Sequence, residues 1–147
     1  MPVIRTCPSC GRKNRIPAKH LARTGGCGAC KAAIPASNQP IDVDAETFDE
    51  LIQDSPVPVL ADFWAAWCGP CRMVAPEVAR TAAEMAGHAV VIKVDTEKHP
   101  QLAARFKVRG IPFFAVFYQG RPVVQQAGAV DHRQMEQWLR SAKTIAA

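Results

Sequence analysis

Hydrophobic positions along residues 41–147 alternate between two periodicities. Three apolar runs have the length of buried strands: PVLADFWA at 58–65, AVVIKVD at 89–95 and PFFAVFY at 112–118. Stretches with apolar residues every three to four positions predict helices at 45–55, 69–86, 99–106 and from 131 onward. Strands that alternate with helices are typical of α/β proteins. The pattern predicts a mixed central sheet with helices on both faces.

Local signals set the ends of these elements. Asp44 precedes the first helix as a candidate N-cap, and Pro76 lies inside the second helix, where we expect a kink. QGRP at 119–122 is a turn, and PVVQQ at 122–126 is a short strand that closes a hairpin. Three histidines at element ends, His88, His99 and His132, are expected to face solvent.

The stretch KAAIPASNQPI at 31–41 has small residues, proline and no periodicity. We therefore predict a module at 1–34, a linker at 35–40 and a larger domain at 41–147. A module of this length cannot fold on apolar burial alone, so it needs a stabilising cross-link.

Charge is divided unevenly along the chain, although the formal net charge is only +5. The first 40 residues hold seven Lys/Arg and no Asp/Glu, whereas the rest hold eleven against thirteen. The chain shows neither the apolar run of a signal peptide nor a stretch long enough to span a membrane. We therefore expect a cytosolic protein, in which cysteines serve as metal ligands or redox catalysts more often than as structural disulfides.

All six cysteines occur as CxxC pairs. The outer pairs, CPSC and CGAC, are separated by sixteen residues, which fits a four-cysteine zinc site. The predicted ligands are Cys7, Cys10, Cys27 and Cys30. The alternative is four free or disulfide-paired thiols. His20 lies between the pairs and is expected on the surface, because four sulfurs complete the coordination sphere.

The basic residues of the first module could contact nucleic acid, acidic protein partners or only solvent. Residues 1–40 contain no Phe, Trp or Tyr on which bases could stack. Nucleic-acid binding is therefore the less favoured interpretation, and no membrane contact is expected.

The middle pair, Cys68 and Cys71, lies between a predicted buried strand and a predicted helix. This position places Cys68 at the helix N-cap, where unpaired amides favour a thiolate, and places Cys71 within reach to close a disulfide. Such a pair reacts by thiol–disulfide exchange. The alternative, two ligands of a shared metal, would lack further ligands nearby.

Asp62 interrupts an apolar run, and burial should raise its pKa. It is then suited to deprotonate Cys71, and Lys93 on the next predicted strand is its expected neighbour. The alternative is an edge aspartate that faces water.

The sequence resembles the thioredoxin family over residues 41–147. The resemblance is carried by ADF before WAAWCGPC, Pro76, KVD at 93–95, GIP at 110–112 and Gly128. With the CxxC pairs in front, the chain looks like the zinc-binding, two-module type of that family. Two positions depart from the usual pattern: Arg72, where lysine is common, and Phe113, where threonine is usual; Phe113 is either a core residue or part of the groove.

The resemblance implies a thioredoxin fold after a zinc-ribbon-like module, one structural zinc and no organic cofactor. It also implies reduction of protein disulfides and recycling by an NADPH-dependent thioredoxin reductase. Cys68 would be the nucleophile and Cys71 the resolving thiol, with Asp62 and Lys93 in the positions of the buried carboxylate and its partner. The implied substrate groove consists of Trp67, Gly69, Pro70, Ile111, Pro112 and Gly128, with the Ile111–Pro112 bond in cis. A zinc-dependent binding, chaperone-like or redox-sensing protein on a thioredoxin scaffold is the alternative.

Overall fold

The computed structural model describes residues 3–146. The amino-terminal segment forms two short hairpins and a 3₁₀ turn: β1 (Val3–Thr6), β2 (Lys13–Ile16), the turn (Ala18–His20), β3 (Gly25–Gly26) and β4 (Ala33–Ile34). The remaining elements are β5 (Ile41–Asp42), α1 (Ala45–Asp54), β6 (Val59–Trp64), α2 (Gly69–Glu84), β7 (Val90–Asp95), α3 (Pro100–Arg105), β8 (Phe113–Tyr118), β9 (Arg121–Ala127) and α4 (His132–Ala146). Every helix and strand predicted in residues 41–147 is present, with ends within two residues of the predicted ones. The short strand β5 was not predicted.

The central sheet has five strands in the order β5, β7, β6, β8, β9. The first three are parallel, and β8 and β9 add on as antiparallel strands. This mixed sheet confirms the predicted fold class. Alternate side chains of β6 enter opposite cores: Ala61 and Phe63 pack on the side of α1 and α3, whereas Leu60 packs on the side of α2 and α4. Asp62 therefore points towards the α2 face of the sheet.

Caps and turns follow the local sequence. The Asp44 carboxylate accepts a hydrogen bond from the Thr47 amide at 2.9 Å, as expected for an N-cap. Between β8 and β9, Gln119 and Gly120 both have positive φ, at 53° and 81°. Two such residues match the twist of a tight hairpin, which fixes the pairing of the last two strands.

The amino-terminal module packs directly against the larger domain. Leu21 is 1% exposed and lies in one continuous core with Phe48 and Leu51 of α1. The Leu21 carbonyl oxygen accepts a hydrogen bond from the Ser37 amide at 2.8 Å, and the Ser37 side chain is buried. The module therefore shares apolar burial with α1.

Candidate active site and metal centre

The middle cysteine pair lies where β6 ends and α2 begins. Cys68 is the N-cap of α2, and its Sγ accepts a hydrogen bond from the Cys71 amide at 3.2 Å. The two sulfurs form a disulfide between Cα atoms 5.3 Å apart. Pro70 occupies the first turn, where a missing N–H costs no intrahelical bond. The structure thus holds this pair in its oxidised form, with both side chains buried.

A loop before β8 faces the disulfide. Cys68 Sγ lies 3.7 Å from the carbonyl oxygen of Ile111. The Ile111–Pro112 peptide bond is cis, as the family resemblance implied. The Pro112 carbonyl accepts a hydrogen bond from the Gly128 amide at 2.8 Å, and Gly128 has a φ of +98° that favours glycine. The loop at Ile111 and Pro112 therefore lies between the disulfide on one side and Gly128 on the other.

Asp62 is 2% exposed, and its Oδ1 has no hydrogen-bond partner among the described residues. Burial raises the pKa of this carboxyl from its ordinary 3.8 to about 7, although the positive charge of Lys93 opposes the shift. The two residues are register partners on neighbouring strands. The Lys93 ammonium lies 4.2 Å from the centre of the Trp64 ring, and no ion pair joins it to Asp62 within residues 3–146. The carboxyl of Asp62 therefore has a pKa close to neutral pH. Because the side chain is buried, the interpretation of Asp62 as an exposed edge aspartate is wrong.

The two tryptophans beside the motif have different environments. Trp64 packs next to the cysteines with its indole nitrogen buried. Trp67 is 66% exposed, and its indole N–H donates to Glu97 Oε1 at 2.7 Å. Met73, one turn further along α2, is 81% exposed. Glu97 and Met73 were missed in the sequence, because a glutamate after a strand and a methionine in a helix carry no distinctive signal.

The outer cysteine pairs form two similar knuckles that face each other. All four sulfurs lie within 4.8 Å of one another. The cross-knuckle distances are 3.6 Å for Cys7 to Cys30 and 3.7 Å for Cys10 to Cys27. None of the four takes part in a disulfide. The predicted set of ligands therefore converges on one point.

Backbone amides surround two of these sulfurs. The Cys7 sulfur accepts from the amides of Ser9 and Cys10 at 3.4 and 3.5 Å, and these bonds lower the pKa of its thiol. The amides of Cys30 and Ala29 lower the pKa of Cys27 to about 6. Such donors favour thiolates, the form that a metal binds.

The donor set fits zinc. A tetrahedral ion with Zn–S bonds of about 2.3 Å separates its sulfurs by about 3.8 Å. The two cross-knuckle distances agree with this value to within about 0.2 Å. Asn14, which was missed in the sequence, orients the second knuckle: its side chain accepts from the Gly28 amide at 3.0 Å and contacts Cys27 Sγ at 3.6 Å. Four thiolates without an open position are typical of a structural rather than a catalytic site.

No helix within residues 3–146 is both long and apolar enough to cross a membrane.

Comparisons with known proteins match both parts of the chain. The family model described as "Thioredoxin" matches residues 39–141, and the one described as "Thioredoxin 2, N-terminal" matches residues 6–32. Thioredoxin C-3 of Corynebacterium nephridii is 41% identical over 138 residues, which cover 93% of this chain and 93% of that protein. Thioredoxin 1 of Chlorobaculum tepidum is 48% identical over 98 residues, covering 67% of this chain and 97% of the relative.

A solved structure is also similar. A mutant thioredoxin from Halobacterium salinarum NRC-1 superimposes with a TM-score of 0.64 and 36% identity, covering 71% of this chain and 91% of that one. The chloroplastic thioredoxin z structure, at 23% identity and a TM-score of 0.67, covers 72% of this chain and 96% of that one and agrees in fold.

Proposed function

The chain belongs to the thioredoxin family and is a thiol–disulfide oxidoreductase, and on that premise we propose which of its residues carry out the exchange. Cys68 is the nucleophile and Cys71 the resolving thiol. The observation that carries this assignment is the position of Cys68 at the N-cap of α2, where its sulfur accepts an amide hydrogen bond and lies beside the Ile111 carbonyl. A thiolate at that point is stabilised by the positive end of the helix.

The reaction proceeds in two displacements. The Cys68 thiolate attacks one sulfur of a client disulfide, so that a mixed disulfide forms and one client thiolate leaves. The Cys71 thiolate then attacks Cys68 Sγ, which forms the intramolecular disulfide and releases the second client thiolate. Two electrons pass from the dithiol to the client, and the client thiolates take up two protons. The oxidised pair in the structure corresponds to the end of this sequence.

Asp62 accepts the proton of Cys71 in the second displacement. Its pKa of about 7 suits both uptake and release of a proton near neutral pH. Lys93 acts on Asp62 through its positive charge, which favours the carboxylate. Because Asp62 lies on the α2 face of the sheet and has an unpartnered oxygen, a bridging water is the expected proton carrier.

The client peptide lies across a groove beside the disulfide. Exposed Trp67 covers one side, and the Ile111 backbone offers hydrogen-bonding groups on the other. The proposed groove residues are Trp67, Gly69, Pro70, Ile111, Pro112 and Gly128.

Clients of a thioredoxin carry disulfides, and the oxidised dithiol must be reduced again. We assign this recycling to an NADPH-dependent thioredoxin reductase, and we place the protein in the cytoplasm, where it contributes to electron transport and cell redox homeostasis. The first module holds one structural zinc through Cys7, Cys10, Cys27 and Cys30. When bound, the ion cross-links two knuckles that have little apolar core of their own. We keep the boundaries 1–34, 35–40 and 41–147 as the proposed division.

The test of the dithiol is NADPH-coupled reduction of a protein disulfide in the presence of thioredoxin reductase. Cys68→Ser and Cys71→Ser should both abolish turnover, because the electron balance needs both sulfurs. Only Cys71→Ser should trap a client as a mixed disulfide on Cys68, so the two variants control for each other. Full turnover by Cys68→Ser, or trapping by Cys68→Ser instead of Cys71→Ser, would overturn the assignment.

The test of the metal centre is zinc analysis of purified protein. We expect about one ion per chain. Cys7→Ser should lower the zinc content, whereas Ser9→Ala, which keeps the backbone amide that contacts the Cys7 sulfur, should not. Equal zinc in both variants would contradict the four-sulfur site.

A further inference from the structure

The amino-terminal module carries a cavity that the dithiol chemistry does not use. Its volume is about 220 Å³, and it opens between the 3₁₀ turn and the β3–β4 hairpin. Leu21 and Ile34 form part of its apolar floor and are 1% and 2% exposed. Both side chains pack against other buried residues. The polar side chains that line the cavity are Arg5, Arg15, His20 and Arg23.

The three arginines bring positive charge without a matching negative charge. No Asp or Glu lines the cavity, and residues 1–40 contain neither. Within the described part of the chain, none of these arginines forms an ion pair; Glu50 lines a separate small cavity next to Arg15 but is not paired with it. Three uncompensated guanidinium groups around one cavity produce a strongly positive local potential.

Neutral acceptors hold two of the guanidinium groups in place. Arg5 Nη1 donates to the Pro35 carbonyl oxygen, and Arg23 Nη2 contacts His20 Nδ1. Desolvation, Arg23 and Lys19 lower the pKa of His20, so its ring is neutral at pH 7 and accepts from Arg23. These contacts restrict the side chains without cancelling their charge, which reduces the entropy lost when an anion binds.

We propose that this cavity binds a phosphate group, either free or as a small monoester. The guanidinium fork matches the oxygens of a phosphate in paired hydrogen bonds, which an ammonium group cannot do. The cavity lining contains no Phe, Trp or Tyr, the large aromatic rings on which nucleic-acid bases stack best. The apolar floor can accommodate the organic part of a monoester.

This site is remote from the disulfide. The Ala22 carbonyl oxygen lies 3.9 Å from the position that a Cβ on Gly87 would take, so the module contacts the chain just after α2. Cys68 is at the opposite end of that helix, and α2 has 16 residues, a length of about 24 Å. The two sites therefore share no residue, and either proposal can fail without the other.

The test is titration of the oxidised, zinc-loaded full chain with inorganic phosphate at constant ionic strength, followed by NMR of the backbone amides. Saturable shifts are expected at Leu21, Gly25 and Gly26. Losing a charged hydrogen-bond donor is worth about 1.5–3 kcal/mol, so Arg15→Gln should weaken phosphate binding at least about tenfold. Arg12→Gln, which removes the same charge from the same module outside the cavity, should change it less than about twofold.

Two further measurements accompany the titration, one on the nature of the ligand and one on the integrity of the module. Titration with glycerol phosphate distinguishes a monoester, which should bind more tightly than free phosphate if the apolar floor takes part. Zinc content, measured on each variant, verifies that the module is intact. The proposal is overturned if chloride reproduces the shifts, if Arg12→Gln and Arg15→Gln weaken binding equally, or if a single-stranded oligonucleotide binds while phosphate and its monoester do not.

Discussion

The ionisation of Asp62 should make the stability of this protein depend on pH in a way that one substitution removes. The pKa of the buried carboxyl is raised from 3.8 to about 7, so the folded protein binds this proton more tightly than the unfolded chain does. The stabilisation is complete below pH 3.8 and is lost as the pH rises through about 7. One pKa unit corresponds to about 1.36 kcal/mol. Between about pH 5.5 and pH 8.5 the wild type should therefore lose about 2 kcal/mol through this group alone.

The measurement is denaturant unfolding of the oxidised wild type and of Asp62→Asn at both pH values. Asn cannot ionise, so the difference in unfolding free energy between variant and wild type should shift by about 2 kcal/mol in favour of the variant at the higher pH. Both proteins contain the same thiols and histidines, so the contributions of these groups to the pH dependence of the unfolding free energy cancel in this difference. Asp54→Asn, which removes an exposed carboxylate at the end of α1, should show no such shift. A difference for Asp62→Asn that is the same at both pH values would refute the reasoning.

Substitutions at three other positions test the packing and the groove. Leu21→Ala should cost about 2–5 kcal/mol of unfolding free energy, because it leaves a cavity between the module and α1; a loss below about 0.5 kcal/mol in denaturant titration would contradict that shared core. Phe113→Ala should cost about 3–5 kcal/mol and Phe113→Leu clearly less, since Leu refills most of the buried volume and loses only the edge-on contact with Phe63, whose ring centroid is 5.7 Å away; equal losses would argue against buried volume as the main contribution. Glu97→Ala should speed solvent exchange of the Trp67 indole N–H in NMR while Glu97→Gln, which keeps an acceptor, changes it less; identical exchange in wild type and Glu97→Ala would exclude the hydrogen bond.

The main strands and helices could be predicted because each has a continuous local signal. The runs around β6, β7 and β8 are apolar apart from Asp62, Lys93 and Asp95, as is typical of strands covered on both faces. Phe113, for which core and groove were both open, lies in the core. By contrast, β5 has only Ile41 and Asp42 and exists through pairing with β7. A strand of two residues is defined by its partner, so nothing in its own sequence could identify it.

The packing of the first module on α1 could not be predicted for a similar reason. Its buried contacts come from a few apolar residues around the 3₁₀ turn, too few to show a period.

The expected exposure of His132 was wrong: its side chain is only 13% exposed, and its Nδ1 is 3.0 Å from Glu77 on α2. A histidine at the start of a helix looks solvated in sequence, and only the approach of α2 to α4 buries it.

In the candidate active site, Cys68, Cys71 and Asp62 could be proposed from the residues alone because they lie within ten positions of one another. The facing loop at Ile111 and Pro112 came only from the family resemblance, since more than forty residues separate it from Cys68. Spacing along the chain does not indicate which distant loop a sheet will bring to a helix end. Glu97 and Asn14 were missed because their side chains bond to residues more than ten positions away, which spacing along the chain does not indicate.

The three CxxC pairs begin with the same local hydrogen bonds, so the spacing itself does not distinguish their chemistry. After the first cysteine of each pair, the amide four positions on donates to that cysteine's carbonyl, from Gly11, Lys31 and Arg72. Gly11 and Lys31 then adopt positive φ, at 79° and 67°, whereas Arg72 continues into α2. A left-handed residue turns the chain back, so that each knuckle presents its sulfurs outwards to the other knuckle. A helical residue keeps both sulfurs on the first turn of α2, where they are close enough to form a disulfide with each other.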